Sequence, residues 1–261
     1  MSHASGTQTT LHTSAEGLRT GRVDIPSFDQ PIQAYYAAPG ETREGGFPLV
    51  LVVQEIFGVN EHTQDICRRF AHQGYMAVAV ELYQRQGDAS SYDDNARLIK
   101  EIVSKVPDEQ VMADLDAAVS WAGEQGANTE RVGISGFCWG GRIVWMYAAH
   151  NPVCKAGVAW YGRLATGHGP LQVRNPVDVA GQLHGPVLGL YGGKDASIPL
   201  EDVRSMEGAL AKGGEAAQAS QIVVYPASGH AFFADYRPSY NPADAKDGWE
   251  RCLAWFARYL T

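Results

Sequence analysis

The chain has 261 residues, 45% hydrophobic and 19% charged, enough apolar material for a large core, and one domain is the default reading. Its formal net charge is -8 at pH 7 with Lys and Arg scattered along the chain, which argues against a nucleic-acid partner. No apolar run approaches the roughly 18 residues of a membrane span, and the polar opening lacks a signal-peptide apolar centre, so we expect a soluble cytoplasmic protein with no membrane partner.

Residues 1–21 are polar and read as a flexible tail, leaving 22–261 as the folded domain. Residues 22–26 and 32–39 read as two strands around a turn, an antiparallel edge. Residues 48–53 are apolar at every position, as a strand needs to be when helices cover both its faces. From there strands and helices alternate, the pattern of a parallel sheet with crossover helices. A helix is expected over 62–73, ending before Gly74, and a buried strand over 76–80. The period of Val111, Leu115, Ala118 and Ala122 predicts a helix over 110–125, followed by a strand at 131–135 and a helix from about Gly140. Further strands are expected at 156–160, 187–191 and 222–225, a helix at 201–212, and a terminal helix at 243–260.

Four cysteines at 67, 138, 154 and 252 form no C-x-x-C pair, and the histidines form no H-E-x-x-H pair. Free thiols, no metal and no cofactor are expected. Cys138 differs from the other three because it lies between a predicted strand and a predicted helix, with Gly136 and Gly140 two residues to either side. Such a turn strains the nucleophile's backbone, its glycines let strand and helix approach closely, and the helix start favours a thiolate. Asp195 and His230 each follow a later strand, so the chain order is nucleophile, acid, histidine. His230 would take the thiol proton while Asp195 orients its ring. The oxyanion would meet the backbone N–H groups of Trp139 and Ile56. Trp139, Trp160, Tyr161, Tyr83 and Phe232 are candidate pocket aromatics, although aromatics beside strand ends are more often core.

Five stretches, Gln54-Glu55-Ile56-Phe57-Gly58, Leu82-Tyr83-Gln84-Arg85-Gln86, Gly136-Phe137-Cys138-Trp139-Gly140-Gly141, Gly192-Gly193-Lys194-Asp195 and Gly229-His230-Ala231-Phe232, resemble the dienelactone hydrolase family in family order. The resemblance implies an α/β-hydrolase fold, with a mostly parallel central sheet, helices on both faces and an antiparallel N-terminal edge. It implies hydrolysis of a small-molecule ester or lactone through a thioester; a monomer and a homodimer are equally compatible with the chain. It also implies that Glu55 restrains the resting Cys138 thiol and that Arg85 binds a substrate carboxylate. A second arginine usually lies four residues after the histidine, where this chain has Ala234; Arg237 is a possible substitute. The alternatives are a broad carboxylesterase or thioesterase, and a non-catalytic thiol redox module.

Overall fold

A computed structural model describes residues 11–260. β1 (Leu18–Ile25) and β2 (Ile32–Pro39) form the antiparallel edge, and β2 pairs antiparallel with β4. β3 (Phe47–Val53) is followed by α1 (Glu61–His72) and β4 (Met76–Val80), and every residue of both strands is buried. Next come α2 (Asn95–Glu101), α3 (Asp108–Glu124), β5 (Ala127–Phe137), α4 (Trp139–His150) and β6 (Cys154–Trp160). The chain continues through α5 (Pro176–Val179), β7 (Val187–Gly192), α6 (Leu200–Leu210), α7 (Glu215–Ala219), β8 (Gln221–Tyr225) and α8 (Pro242–Tyr259). The strands form one eight-stranded sheet in the order β1-β2-β4-β3-β5-β6-β7-β8, parallel from β4 to β8.

Both faces of the sheet are covered, and the glycines of β5 show how. A Cβ on Gly133 would come within 2.8 Å of Phe256 and Leu260, whereas one on Gly136 would meet Val144 at 3.1 Å. Residues three apart in a strand face opposite sides, so α8 and α4 lie on opposite faces. Phe70 of α1 packs on Trp249 and Phe256, which joins α1 to the α8 layer. Arg142 and Tyr147 of α4 bond Asp108 and Asp116, which joins α3 to the other layer. A parallel sheet sandwiched this way explains the unbroken apolar runs of β3 and β4.

All eight expected strands form, along with the five expected helices, and the differences lie at boundaries and in short elements. Of the expected tail, residues 1–10 lie outside the described residues. Leu18 to Gly21 belong to β1, and Thr13 is tied to α1 by hydrogen bonds with Asp65 and Arg68. β1 is mostly half-buried, so neither burial nor strict alternation marks its start in the sequence. The short helices α2, α5 and α7 were not expected, because at seven residues or fewer they carry too few turns to print a period.

Candidate active site

The turn from β5 into α4 places Cys138 at φ 55, ψ −114, a region that side-chain-bearing residues rarely adopt. Its neighbours explain why the backbone stays there. Cys138 N–H donates to Trp160 O at 3.0 Å, and Gly141 N–H donates to Cys138 O at 3.0 Å. A Cβ on Gly136 would lie 2.3 Å from Gly140 O, and one on Gly140 would lie 2.5 Å from Val53 O. The strand, the turn and the helix start therefore touch through backbone, which only glycine permits.

The other two loops are locked against each other in the same manner. Gly193 N–H donates to Tyr225 O and Lys194 N–H to Ser228 O, each at 2.8 Å, and a Cβ on Gly192 would lie 2.6 Å from Gly229 O. Asp195, buried after β7, accepts Ser197 N–H on Oδ1 at 2.8 Å, which leaves Oδ2 for His230 Nδ1 at 2.6 Å. His230 Nε2 stands 3.2 Å from Cys138 Sγ. Burial opposes charge on His230, but hydrogen bonds to Asp195 and Cys138, together with their charges, outweigh it and lift the imidazole to about 10. The ring therefore keeps its proton at neutral pH, between a carboxylate and a sulfur.

A cavity of about 310 Å³ opens over this trio, lined by Cys138, His230, Ile56, Tyr161, Arg163 and Arg237 among others. Ile56 follows β3, and Trp139 is the first residue of α4, where a backbone N–H has no partner within the helix. A larger groove of about 760 Å³ lies elsewhere, between Asn60, Glu81 and Asp88, and contains neither Cys138 nor His230. Among the described residues, no three His, Cys, Asp or Glu side chains are grouped as a metal-ion site.

Several expected positions fall outside the cavity. Arg85 bonds Asp29 at 2.6–3.0 Å and Asp114 at 2.7 and 3.0 Å, and covers the Phe28 ring. Two carboxylates, one fully buried, hold a guanidinium that the resemblance assigned to substrate. Tyr83 is buried edge-on against Trp139 at 4.9 Å. Trp160 donates to Ser135 Oγ and stacks on Phe137, while Phe232 packs among Trp160, Tyr161 and Tyr225. These three aromatics are core behind the site and do not line its wall, because large apolar rings at strand ends bury most surface by filling the layer below.

The expected contact between Glu55 and Cys138 is not formed either. Glu55 is 3% exposed, accepts the Tyr236 hydroxyl and faces Arg237 Nη1 at 3.5 Å. Burial first, then the charge of Glu55, push the Tyr236 hydroxyl well above its ordinary value. Arg237 also lies over the Phe57 ring at 5.6 Å. The stretch after His230 has thus captured the carboxylate, and it is itself anchored by Asp235, which bonds His62 and Arg69 of α1.

The sequence reading missed Arg163, His168, Asn95, Ile99 and Ser197 as cavity residues. Arg163 stands three residues past the end of β6, a signal that the position after a strand could have given. His168 lies deeper in the same loop, and Asn95 and Ile99 lie on α2, none with a readable cue.

A strained turn after a central strand holds Cys138, and Asp195 and His230 follow later strands, all on one α/β-hydrolase sheet. The chain belongs to the dienelactone hydrolase family, whose model matches residues 32–260. It is 56% identical over 253 residues to a Methylorubrum extorquens protein provisionally named carboxymethylenebutenolidase, covering 97% of this chain and 85% of that one. An Escherichia coli K12 protein with the same provisional name is 52% identical over 252 residues, covering 96% and 91%. A Klebsiella pneumoniae crystal structure, titled provisionally as a dienelactone hydrolase, superposes with TM-score 0.88 at 55% identity, covering 93% of this chain and 99% of that one.

Proposed function

We propose that this hydrolase cleaves carboxylic esters or lactones of small molecules through a thioester on Cys138, with His230 as acid-base and Asp195 as its orienter. The observation that carries this reading is the unbroken chain from Asp195 to His230 at 2.6 Å and on to Cys138 Sγ at 3.2 Å. In the first half-reaction the thiolate forms an S–C bond to the carbonyl carbon, and the π pair moves to oxygen. The N–H groups of Trp139 and Ile56 would receive that oxyanion. Collapse breaks the C–O bond, and His230 gives its proton to the leaving oxygen. In the second, neutral His230 takes a proton from water, the hydroxide attacks the thioester, and the thiolate leaves as the acid forms. Ester and water become acid and alcohol, and the site regains its starting protonation.

Asp195 keeps the imidazole in the tautomer that presents Nε2 to sulfur and offsets its charge. A mere thiol sensor has no use for such an acid-base relay. Mass spectrometry of the protein quenched during turnover of an activated ester tests the reading. It should show one acyl group on Cys138, absent in Cys138→Ala. An acyl group on another residue, or normal turnover by Cys138→Ala, would overturn it. The engagement of Arg85 with Asp29 and Asp114 favours a second reading, a carboxylesterase or thioesterase of broader choice. In that case neutral aryl esters and anionic lactones should be turned over with similar kcat/KM.

A further inference from the structure

Positive charge gathers in the cavity over Cys138 beyond what the reaction uses. Beside the Cys138 thiolate and His230 imidazolium, which offset each other on the reading above, its charged side chains are Arg163 and Arg237, and no Asp or Glu is part of its wall. The arginines around this half of the molecule differ in what offsets them. Arg85 is gripped by Asp29 and Asp114. Arg237 faces Glu55. Arg163 has no ion pair among the described residues, and one of its nitrogens donates to Gly167 O at 2.9 Å. A guanidinium carries five N–H donors in a planar fork, so this one bond leaves the group able to take a carboxylate by two parallel bonds.

Its place is fixed by the same close packing that fixes the nucleophile. Tyr161 has φ 39, and a Cβ on Gly162 would lie 2.2 Å from the carbonyl carbon of Gly141, in the first turn of α4. The start of the Arg163 loop is thereby keyed to the helix that follows Cys138. His168 lies further along that loop and is also in the cavity wall. Burial first, then the charges of Arg163, Arg142 and His230, hold it down at about 3, so it stays neutral. The chain as a whole carries a net charge of -8, so an anion meets attraction only where positive groups gather locally.

We propose that Arg163 is the specificity-determining residue of this site, binding a carboxylate carried by the ester or lactone, in place of Arg85. The proposal rests on the cysteine-hydrolase reading above. The residue on which the family resemblance would place this task is engaged elsewhere. This guanidinium, without an ion pair among the described residues, comes from a loop that the five family-like stretches do not include.

The test compares two 4-nitrophenyl esters of equal acyl length, one neutral and one ending in a carboxylate, with spontaneous hydrolysis subtracted. Wild type, Arg163→Ala, Arg163→Lys and Arg163→Gln are measured on both. Arg163→Ala should lower the anionic-to-neutral ratio of kcat/KM by roughly 10- to 100-fold, chiefly through KM, as expected for loss of a charge-assisted pair. Arg163→Lys should restore part of the ratio, since it keeps the charge and loses the fork. Arg163→Gln serves if the alanine variant folds poorly, and should fall with it. A ratio within about twofold of wild type in the alanine and glutamine variants would overturn the assignment. Cys138→Ala on the neutral ester separates the two ideas. Loss of that activity with an unchanged ratio in the Arg163 variants removes only the role of Arg163, whereas retention removes the nucleophile reading itself.

Discussion

The two halves of the cavity are built differently. The Cys138, Asp195 and His230 half is set by backbone, through glycines that allow 2.3–2.6 Å approaches no Cβ could survive and through main-chain bonds between the loops after β7 and β8. The other half, with Arg237 and α2, is set by side chains and short elements on longer connections, and Arg163 sits at the border, on a loop whose start is keyed to α4 by backbone. Backbone contacts at sheet ends tolerate little change, because each glycine excludes any other residue. Ion pairs such as Glu55 with Arg237 or Arg85 with Asp114 can be exchanged by moving a single charge. On the proposed reading, reaction chemistry sits where the fold leaves no alternative, and substrate choice where it leaves several.

The sharpest break in this comparison comes from the backbone-set half. Cys138→Ala should lower ester kcat by about 10⁴-fold or more with the fold intact, as measured by steady-state rates and circular dichroism. A loss under tenfold would mean the strained turn serves structure alone. His230→Ala should follow with a loss of about 10³-fold or more, and Asp195→Asn with a smaller one, since the first removes proton transfer and the second mainly the orientation of the ring.

Outside the cavity, at the ion pairs of Arg85, the expected effects move from rate to stability. Arg85→Ala leaves Asp114, fully buried, without its guanidinium and should cost about 3–5 kcal/mol in denaturant unfolding. The anionic-to-neutral ratio of kcat/KM should survive in whatever remains folded. A selective rise in KM for anionic esters would instead return Arg85 to the substrate.

The imidazole couples rate and stability through pH. Its folded-state value of about 10 lies above the ordinary 6.5, so its contribution is fully present below about pH 6.5 and is lost as pH rises through 10. Relative to His230→Asn, wild type should lose about 1–3 kcal/mol between pH 6.5 and 10, and parallel stability curves would contradict the Asp195–His230–Cys138 coupling.

The smallest effect is expected at Glu55. With its carboxylate on Tyr236 and Arg237, Glu55→Ala should change the alkylation rate of Cys138 by less than about twofold while lowering stability by about 1–3 kcal/mol. A tenfold rise in alkylation would show that Glu55 does restrain the resting thiol.

The alternation of strands and helices is legible in the chain alone, since full burial of β3 and β4 demands unbroken apolar runs and α8 needs an apolar stripe. So are the order and spacing of Cys138, Asp195 and His230, since a strained turn between strand and helix requires glycines at fixed offsets that can be read directly. Which charges meet depends on the folded arrangement. Arg85 finds Asp29 and Asp114 across 56 and 29 residues, and Glu55 finds Tyr236 across 181. No local pattern records such pairs, because Coulomb attraction depends on distance in space and burial, and neither is written in sequence spacing. For the same reason His168 and α2 could be placed over the thiol only by the folded chain, which brings together residues that no periodicity links.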